Sequence, residues 1–261
     1  MSTPAAASPS AILDDPVAEG LRVLERADAR GVPLRLIGGI AVAVRAPSVR
    51  LASPPRTYHD LDLTGIRDSS REIADLLGSE GYEPHVRFNK LSGATRLLFF
   101  DPVHERRVDV FLDRLEMCHT LHFRDRLLMD EVTLPLADLL LSKLQIAELT
   151  DRDAVDVAAL LADHPVVERQ SNASPGIELE RVLSVCAEDW GWWRTVTRNL
   201  EMLDGKWGSV PSDTGPDLGL ARERAAQMMK ALHECSKSFR WKARATIGER
   251  VRWYQEPEEV R

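Results

Sequence analysis

The residues best suited to chemistry in this sequence are a glycine pair, Gly38-Gly39, and two aspartates, Asp60 and Asp62, that follow it. Side chains alternate along a β-strand, so we expect Asp60 and Asp62 on one face and the neighbouring leucines on the other. Aspartate is uncommon in strands, and two carboxylates about 5 Å apart repel by roughly 3 kcal/mol at an effective dielectric near 20. A divalent cation removes this cost, and Mg²⁺ prefers such oxygens. The motif therefore predicts a magnesium site.

A third acidic residue, Asp109, lies in a later strand-like run and alternates there with Val108 and Val110. We expect Asp109 on the face opposite the valines, where it would complete the acidic set. The glycine pair follows the apolar run 34–37, and a glycine turn that leads into a helix offers backbone N–H groups to phosphate. Taken alone, each feature has an ordinary explanation: a strand-ending turn, solvated acids, or an edge strand facing water. Their order along the chain favours a site.

The secondary structure predicted around these residues consists mainly of strands in the first part of the chain and of helices after it. Apolar periodicity and turn residues predict strands over 34–37, 61–64, 85–88, 95–100 and 107–112, and helices over 14–30, 40–45, 68–77, 136–149 and 152–163. The rest of the chain is predicted to be helical, over 177–203, 217–233 and 236–254. Strands followed by helices predict an α/β (α+β) fold, with a sheet domain followed by a helical domain.

The predicted domain division follows from composition. Residues 1–10 are small and polar and are expected to form a disordered tail. The sheet domain is predicted over 11–164, and the helical C-terminal domain over 177–261. The segment 164–176 contains two prolines and is the candidate linker between them.

Bulk composition excludes some classes of function. A net charge of −7 argues against a protein that coats nucleic acid through a generally basic surface, although a local basic groove stays open. The three cysteines, Cys118, Cys186 and Cys235, lack metal-ligand spacing and are typical of reduced thiols. No apolar run reaches the length of a membrane span, and the N-terminus lacks a signal-peptide layout. We therefore expect a cytoplasmic protein without membrane contact.

Together, Gly38-Gly39, Asp60, Asp62 and Asp109 resemble the polymerase-beta-like nucleotidyltransferase superfamily. The resemblance implies a nucleotidyltransferase-fold mixed sheet with flanking helices. It also implies NTP as substrate, a glycine turn that holds the triphosphate, and three carboxylates that hold two Mg²⁺ ions. Such metals, roughly 3.5–4 Å apart, stabilise the attacking and leaving oxygens of an in-line displacement. Asp109 would complete the metal site and act as a base toward the attacking hydroxyl.

A later segment narrows the resemblance. The sequence around Lys143, followed by Arg152-Asp153-Ala154-Val155-Asp156-Val157, resembles the helical segment of AbiEii/MenT-type nucleotidyltransferases, a family that includes toxins of toxin–antitoxin pairs. The resemblance implies that Lys143 neutralises nucleotide phosphates and that Asp153 supports the site. Arg56, in the approach to the carboxylates, lies in a segment that is similar but not identical to the family's Arg/Thr pattern, and the resemblance makes it a further nucleotide-binding candidate. The implied acceptor is a tRNA 3′ end, and the implied partner is an antitoxin.

Three alternatives stay open on the sequence alone. The acceptor could be a small molecule of the aminoglycoside type, or the chain could keep the fold as a non-catalytic binding or regulatory protein. The basic residues of the C-terminal part could form either a solvated helix face or an RNA-binding groove. Asp156 is expected on a helix surface or as a structural partner of Arg152.

Overall fold

The fold is a mixed α/β arrangement around one five-stranded sheet. The computed structural model describes residues 12–51, 56–170, 175–206 and 215–256. The predicted disordered tail, 1–10, lies outside the described residues. The strands of the main sheet are β1 (Leu34–Leu36), β2 (Asp60–Gly65), β3 (Glu83–Pro84), β4 (Arg96–Asp101) and β5 (Arg106–Leu112).

The sheet is mixed, in the order β1-β2-β5-β4-β3. Strands β2 and β5 run parallel at its centre, whereas β1 pairs antiparallel with β2, and β4 antiparallel with β5. A parallel neighbour requires a crossover connection. Here the chain between β2 and β5 passes through two α-helices and two further strands. Strand β5 is therefore internal to the sheet and is not a water-facing edge.

Ten helices accompany the sheet within the described residues. They are α1 (Pro16–Ala29), α2 (Gly38–Arg45), α3 (Ser70–Ser79), α4 (Val86–Ser92), α5 (Leu136–Leu144), α6 (Asp151–Asp163), α7 (Leu179–Glu188), α8 (Trp190–Lys206), α9 (Leu218–Glu234) and α10 (Phe239–Ala245). Two small sheets pair β6 (Arg114–Glu116) with β7 (Thr120–His122), and β8 (Val166–Val167) with β9 (Ile177–Glu178). None of the helices described is both long and apolar enough to cross a membrane.

The faces of the central strands confirm the predicted alternation. Leu61 and Leu63 of β2 are buried, as are Val108 and Val110 of β5. The parallel register pairs Leu61 with Val108 and Leu63 with Val110, so these four side chains lie on one face of the sheet. Burial of such side chains stabilises the fold by about 1.5–3 kcal/mol each. The opposite face carries the acidic residues.

The predicted strand over 85–88 is wrong, because this segment begins helix α4. The His85 imidazole accepts a hydrogen bond from the backbone N–H of Phe88 at 3.1 Å and so caps the helix. The Asn89 amide then donates to the Leu98 carbonyl at 3.1 Å and accepts from the Leu98 N–H at 2.7 Å. These bonds fix the helix against β4 through a side chain. Strand pairing therefore stops at Pro84.

The helical part of the chain also departs from prediction. The expected helix over 177–203 is two helices, α7 and α8, with Asp189 between them in an extended conformation. The expected helix over 236–254 is helical in α10 and then continues as a short 3₁₀ turn. Helix α9 packs against α6, and Arg224 donates to the carbonyl of Leu161 at 2.7 Å. Buried residues of both parts belong to one hydrophobic core.

Candidate active site

Two of the predicted acids are cross-strand neighbours. Asp62 of β2 pairs in register with Asp109 of β5, so the two side chains leave the same face of adjacent strands. Asp109 is fully buried, Asp62 is half-buried, and Asp60 at the start of β2 is exposed. The three predicted acids therefore share one face, with Asp60 at its edge.

Two arginines that the sequence analysis missed hold the buried acid. Arg96 donates from Nε to Oδ1 of Asp109 at 2.7 Å, and Nε of Arg107 lies 2.9 Å from Oδ2. The Arg96 guanidinium also lies over the rings of Phe111 and Phe88, at 5.0 and 5.8 Å from their centroids. Both arginines alternate onto the acidic face of their strands. That periodicity was visible in the sequence, but their proximity to Asp109 depends on the strand order.

Asp62 is the least compensated acid of the site. Its carboxylate makes neither a hydrogen bond nor an ion pair with any residue that the structure describes. Burial raises the pKa of Asp62 to about 7, and the neighbouring charges of Asp109 and Asp60 add to the increase. A buried carboxylate without a partner is costly to keep ionised. A bound cation would therefore stabilise the ionised form of Asp62.

The glycine pair brings the backbone against this acid. Gly38 has a φ of +73°, and a Cβ added to it would lie 2.3 Å from Oδ2 of Asp62. A Cβ on Gly39 would lie 3.0 Å from Nη2 of Arg56 and 3.2 Å from the ring of Tyr58. Helix α2 begins at Gly38, and no side chain caps it. The first N–H groups of this helix therefore lack a side-chain capping partner, and the helix begins next to Asp62.

We expect Gly38→Ala to lower stability by about 1–2 kcal/mol, because alanine is strained at this φ and its Cβ displaces Asp62. Gly78→Ala in α3 is the matched control, because a Cβ there meets no atom within 4 Å. Urea unfolding should show that control to be as stable as the parent or more so. Equal effects of the two substitutions would contradict the close approach at Gly38.

A buried ionic cluster lies beside the acidic face. Nζ of Lys143 in α5 lies 2.9 Å from Oδ2 of Asp156 and 3.2 Å from Oδ1 of Asp153, both in α6. Arg56 donates to Asp156 and to the carbonyl of Arg152, the latter at 2.8 Å. The Lys143 charge also reaches Asp62, where it lowers the pKa and partly offsets the increase. The structure therefore brings Arg56, Lys143 and Asp153 into one cluster.

The electrostatics of this cluster follow from burial and pairing. The two carboxylates raise the pKa of Lys143 against the opposing effect of its burial. Asp153 accepts from Thr150 in a capping box at the start of α6, and its pKa is lowered by Lys143 and by Thr150 although burial opposes this. Burial raises the pKa of Asp156. The cluster thus places two cations among two acids.

The expectation for Asp156 is wrong. Asp156 is fully buried, and its partners are Arg56 and Lys143 rather than the side chain of Arg152. It follows Asp153 by three residues, which places both acids on one face of α6. That spacing was visible in the sequence, whereas the identity of the partners depends on how α5 packs against α6.

The carboxylates of Asp60, Asp62 and Asp109 are the side chains of this site that could bind a metal ion. Within the described ranges, no group of three His, Cys, Asp or Glu side chains is arranged so that it could hold one. Asp109 is held by two arginines, which leaves Asp60 and Asp62 as the acids nearest the glycine turn. Oδ2 of Asp109 is buried and makes no hydrogen bond among the described residues, and the Asp62 carboxylate has no partner there. The Asp62 carboxylate thus offers oxygens of the kind that Mg²⁺ prefers, whereas Oδ2 of Asp109 is ion-paired with Arg107 at 2.9 Å.

Two cavities flank His59 at the mouth of the site. One, of about 520 Å³, is bordered by Arg56 and Tyr58. The other, of about 590 Å³, is bordered by Asp60 and Arg107. Both volumes fall in the range of small-molecule sites. Arg56 and Tyr58, which border the first cavity, are also the residues close to Gly39, whereas the second cavity is next to the exposed Asp60.

Comparison with known proteins adds no assignment. No protein-family model matches the chain, and the search of curated proteins returned no significant match.

Proposed function

We propose that this protein is a magnesium-dependent nucleotidyltransferase that transfers a nucleotide from NTP to an acceptor hydroxyl. The observation that carries the proposal is the position of Asp62. Its unpaired carboxylate lies beside Asp109 in the neighbouring strand and against the positive-φ Gly38. Acids next to an uncapped glycine turn suit a metal–triphosphate substrate, because one group binds cations and the other binds phosphate.

Asp60 and Asp62 are the proposed metal ligands, and Asp109 would join them as the third once it is freed from Arg96 and Arg107, because the described arrangement does not bring three ligands together. When bound, two Mg²⁺ ions would supply charge stabilisation to the attacking and leaving oxygens. The N–H groups of Gly38 and Gly39 orient the triphosphate, and Lys143 and Arg56 supply positive charge beside it. Asp153 positions Lys143 through their contact at 3.2 Å. Asp109 could take the proton of the acceptor hydroxyl only after release from its arginines.

The proposed acceptor is a tRNA 3′ end, and the proposed biological setting is a cytoplasmic toxin controlled by an antitoxin. This part of the proposal is supported by the resemblance of the Lys143 and Arg152–Val157 segments to the toxin family. The clustered basic residues around α10 provide further support, since Lys237, Arg240, Lys242 and Arg244 lie close together in the chain. Transfer to tRNA would block aminoacylation and so inhibit growth.

A small-molecule acceptor is the second candidate, favoured by the cavity next to Asp60. Glu83 and Glu105 also border this cavity, and Arg107 is the one arginine or lysine among its described lining residues. An acidic cavity suits a cationic acceptor such as an aminoglycoside. The two candidates share the nucleotide site and differ only in the acceptor.

The test is incubation of the purified protein with each α-labelled NTP and Mg²⁺, with either bulk tRNA or an aminoglycoside mixture. We expect label to move to tRNA with the parent protein and not with Asp60→Asn, and expression of the variant should no longer inhibit growth. Label on the aminoglycoside would select the second candidate. Equal incorporation and growth inhibition by parent and Asp60→Asn would show the assignment to be wrong.

A further inference from the structure

Arg107 is placed differently from the other arginine that holds Asp109. Arg96 makes a hydrogen bond of 2.7 Å to Asp109 and lies over two aromatic rings, and its side chain is 20% exposed. The Arg107 side chain is 43% exposed. Although its Nε lies 2.9 Å from Oδ2 of Asp109, that oxygen makes no hydrogen bond among the described residues. Arg96 is thus a fixed partner, whereas Arg107 is bound by charge alone.

Arg107 also spans two of the acids. Its Nε lies 2.9 Å from Asp109 and 3.8 Å from Oδ1 of Asp60. Asp60 and Arg107 are register partners in adjacent parallel strands, so their side chains leave the same face. The Arg107 guanidinium therefore lies between the carboxylates of Asp60 and Asp109 and supplies one positive charge there. A bound metal ion would bridge the same two carboxylates.

The site has room for this side chain to leave. Arg107 borders the cavity of about 590 Å³ next to Asp60, together with Glu83 and Glu105. A guanidinium that rotates away from Asp109 would stay near solvent and near other carboxylates. The cost of its release is therefore low compared with the release of a buried arginine.

We propose that Arg107 is a cation surrogate that closes the metal site and must be displaced before a divalent ion binds between Asp60 and Asp109. This inference rests on the proposed metal-dependent function and concerns the regulation of that site. The positive charge of Arg107 offsets part of the negative charge of Asp60 and Asp109. A divalent ion competes with it because it carries twice the charge and binds carboxylate oxygens directly. The metal affinity is therefore set in part by a residue that is not a ligand.

The test is calorimetric titration of Mn²⁺ into the full chain without nucleotide, at pH 8 so that Asp62 is ionised. We expect Arg107→Gln to bind Mn²⁺ about tenfold more tightly than the parent, because a competing charge is removed. Arg107→Lys keeps that charge and should bind like the parent. The matched control is Arg114→Gln in β6, since its side chain is 37% exposed and its one ion-pair partner among the described residues is Glu116. This control should also bind like the parent.

The possible results separate the two claims. Tighter binding by Arg107→Gln, lost when Asp62→Asn is added, supports the proposal. Equal or weaker binding by Arg107→Gln would overturn it and leave the metal site in place. Absence of saturable Mn²⁺ binding in every variant would overturn both the proposed metal site and this inference. Circular dichroism of each variant establishes that it is folded before the titration.

Discussion

Asp62→Asn should make the metal-free protein more stable and should strongly reduce the proposed nucleotide transfer. In the parent, the Asp62 carboxylate is half-buried beside Asp109, without a partner among the described residues. Asparagine removes the repulsion and keeps the shape, so the thermal midpoint at pH 8 should rise by about 3 °C or more. Nucleotide incorporation should fall by roughly 10³-fold, the scale of losing one group that stabilises transition-state charge.

The pH dependence of this gain follows from the sign of the pKa shift. The pKa of Asp62 is raised from an ordinary 3.8 to about 7 in the folded protein. Between these values the folded state holds a proton that the unfolded state has released, so stability falls as the pH rises through this window. Below about pH 4 both states are protonated, and the carboxyl group costs nothing. The variant should therefore match the parent at pH 4 and exceed it at pH 8.

Scanning calorimetry at the two pH values, without metal, measures this difference. The control is Asp75→Asn, an exposed acid of α3, which should leave both midpoints unchanged. A parent and an Asp62→Asn variant of equal stability at pH 8 would mean that Asp62 is adequately compensated. The uncompensated charge of Asp62 would then no longer be a reason to expect a bound cation.

Asp156→Ala should be the most destabilising single substitution in the ionic cluster. It leaves Lys143 with one carboxylate, and Arg56 loses its only carboxylate among the described residues. Removal of one partner from a buried ion pair typically costs 3–5 kcal/mol. Because Asp153 still pairs with Lys143, we expect a loss of about 3 kcal/mol, measured by urea unfolding.

Asp151→Ala provides the comparison on the same helix. Asp151 pairs with Lys206 at 2.8 Å, but its side chain is 68% exposed. Its loss should cost less than about 1 kcal/mol. If Asp156→Ala costs no more than Asp151→Ala, the cluster is not the buried, mutually compensated unit described above. Asp156→Asn should lie between them, because it keeps the shape and a hydrogen-bonding group without the charge.

The local sequence pattern was sufficient to predict most of the strands and helices that hold the site residues. Apolar alternation placed β2 and β5 and assigned Asp62 and Asp109 to the faces opposite their leucines and valines. Such patterns follow from a period of two along each strand, so they need no knowledge of the rest of the chain.

Long-range pairing was what the sequence could not provide. Whether Asp109 lies beside Asp62 depends on a crossover that inserts β5 next to β2, and the contacts of Arg96 and Arg107 depend on the same strand order. The error over 85–88 has a similar origin. The bonds from Asn89 to Leu98 join residues of different elements, and they override a local preference for strand.

Metal dependence of label transfer is the most direct test of the account. The parent protein, an α-labelled NTP and the acceptor pool are incubated in EDTA, and Mg²⁺ is then titrated in. We predict no label transfer in EDTA, a saturable increase in transfer with Mg²⁺, and no such increase for Asp60→Asn. Transfer that proceeds equally in EDTA and in Mg²⁺ would contradict it.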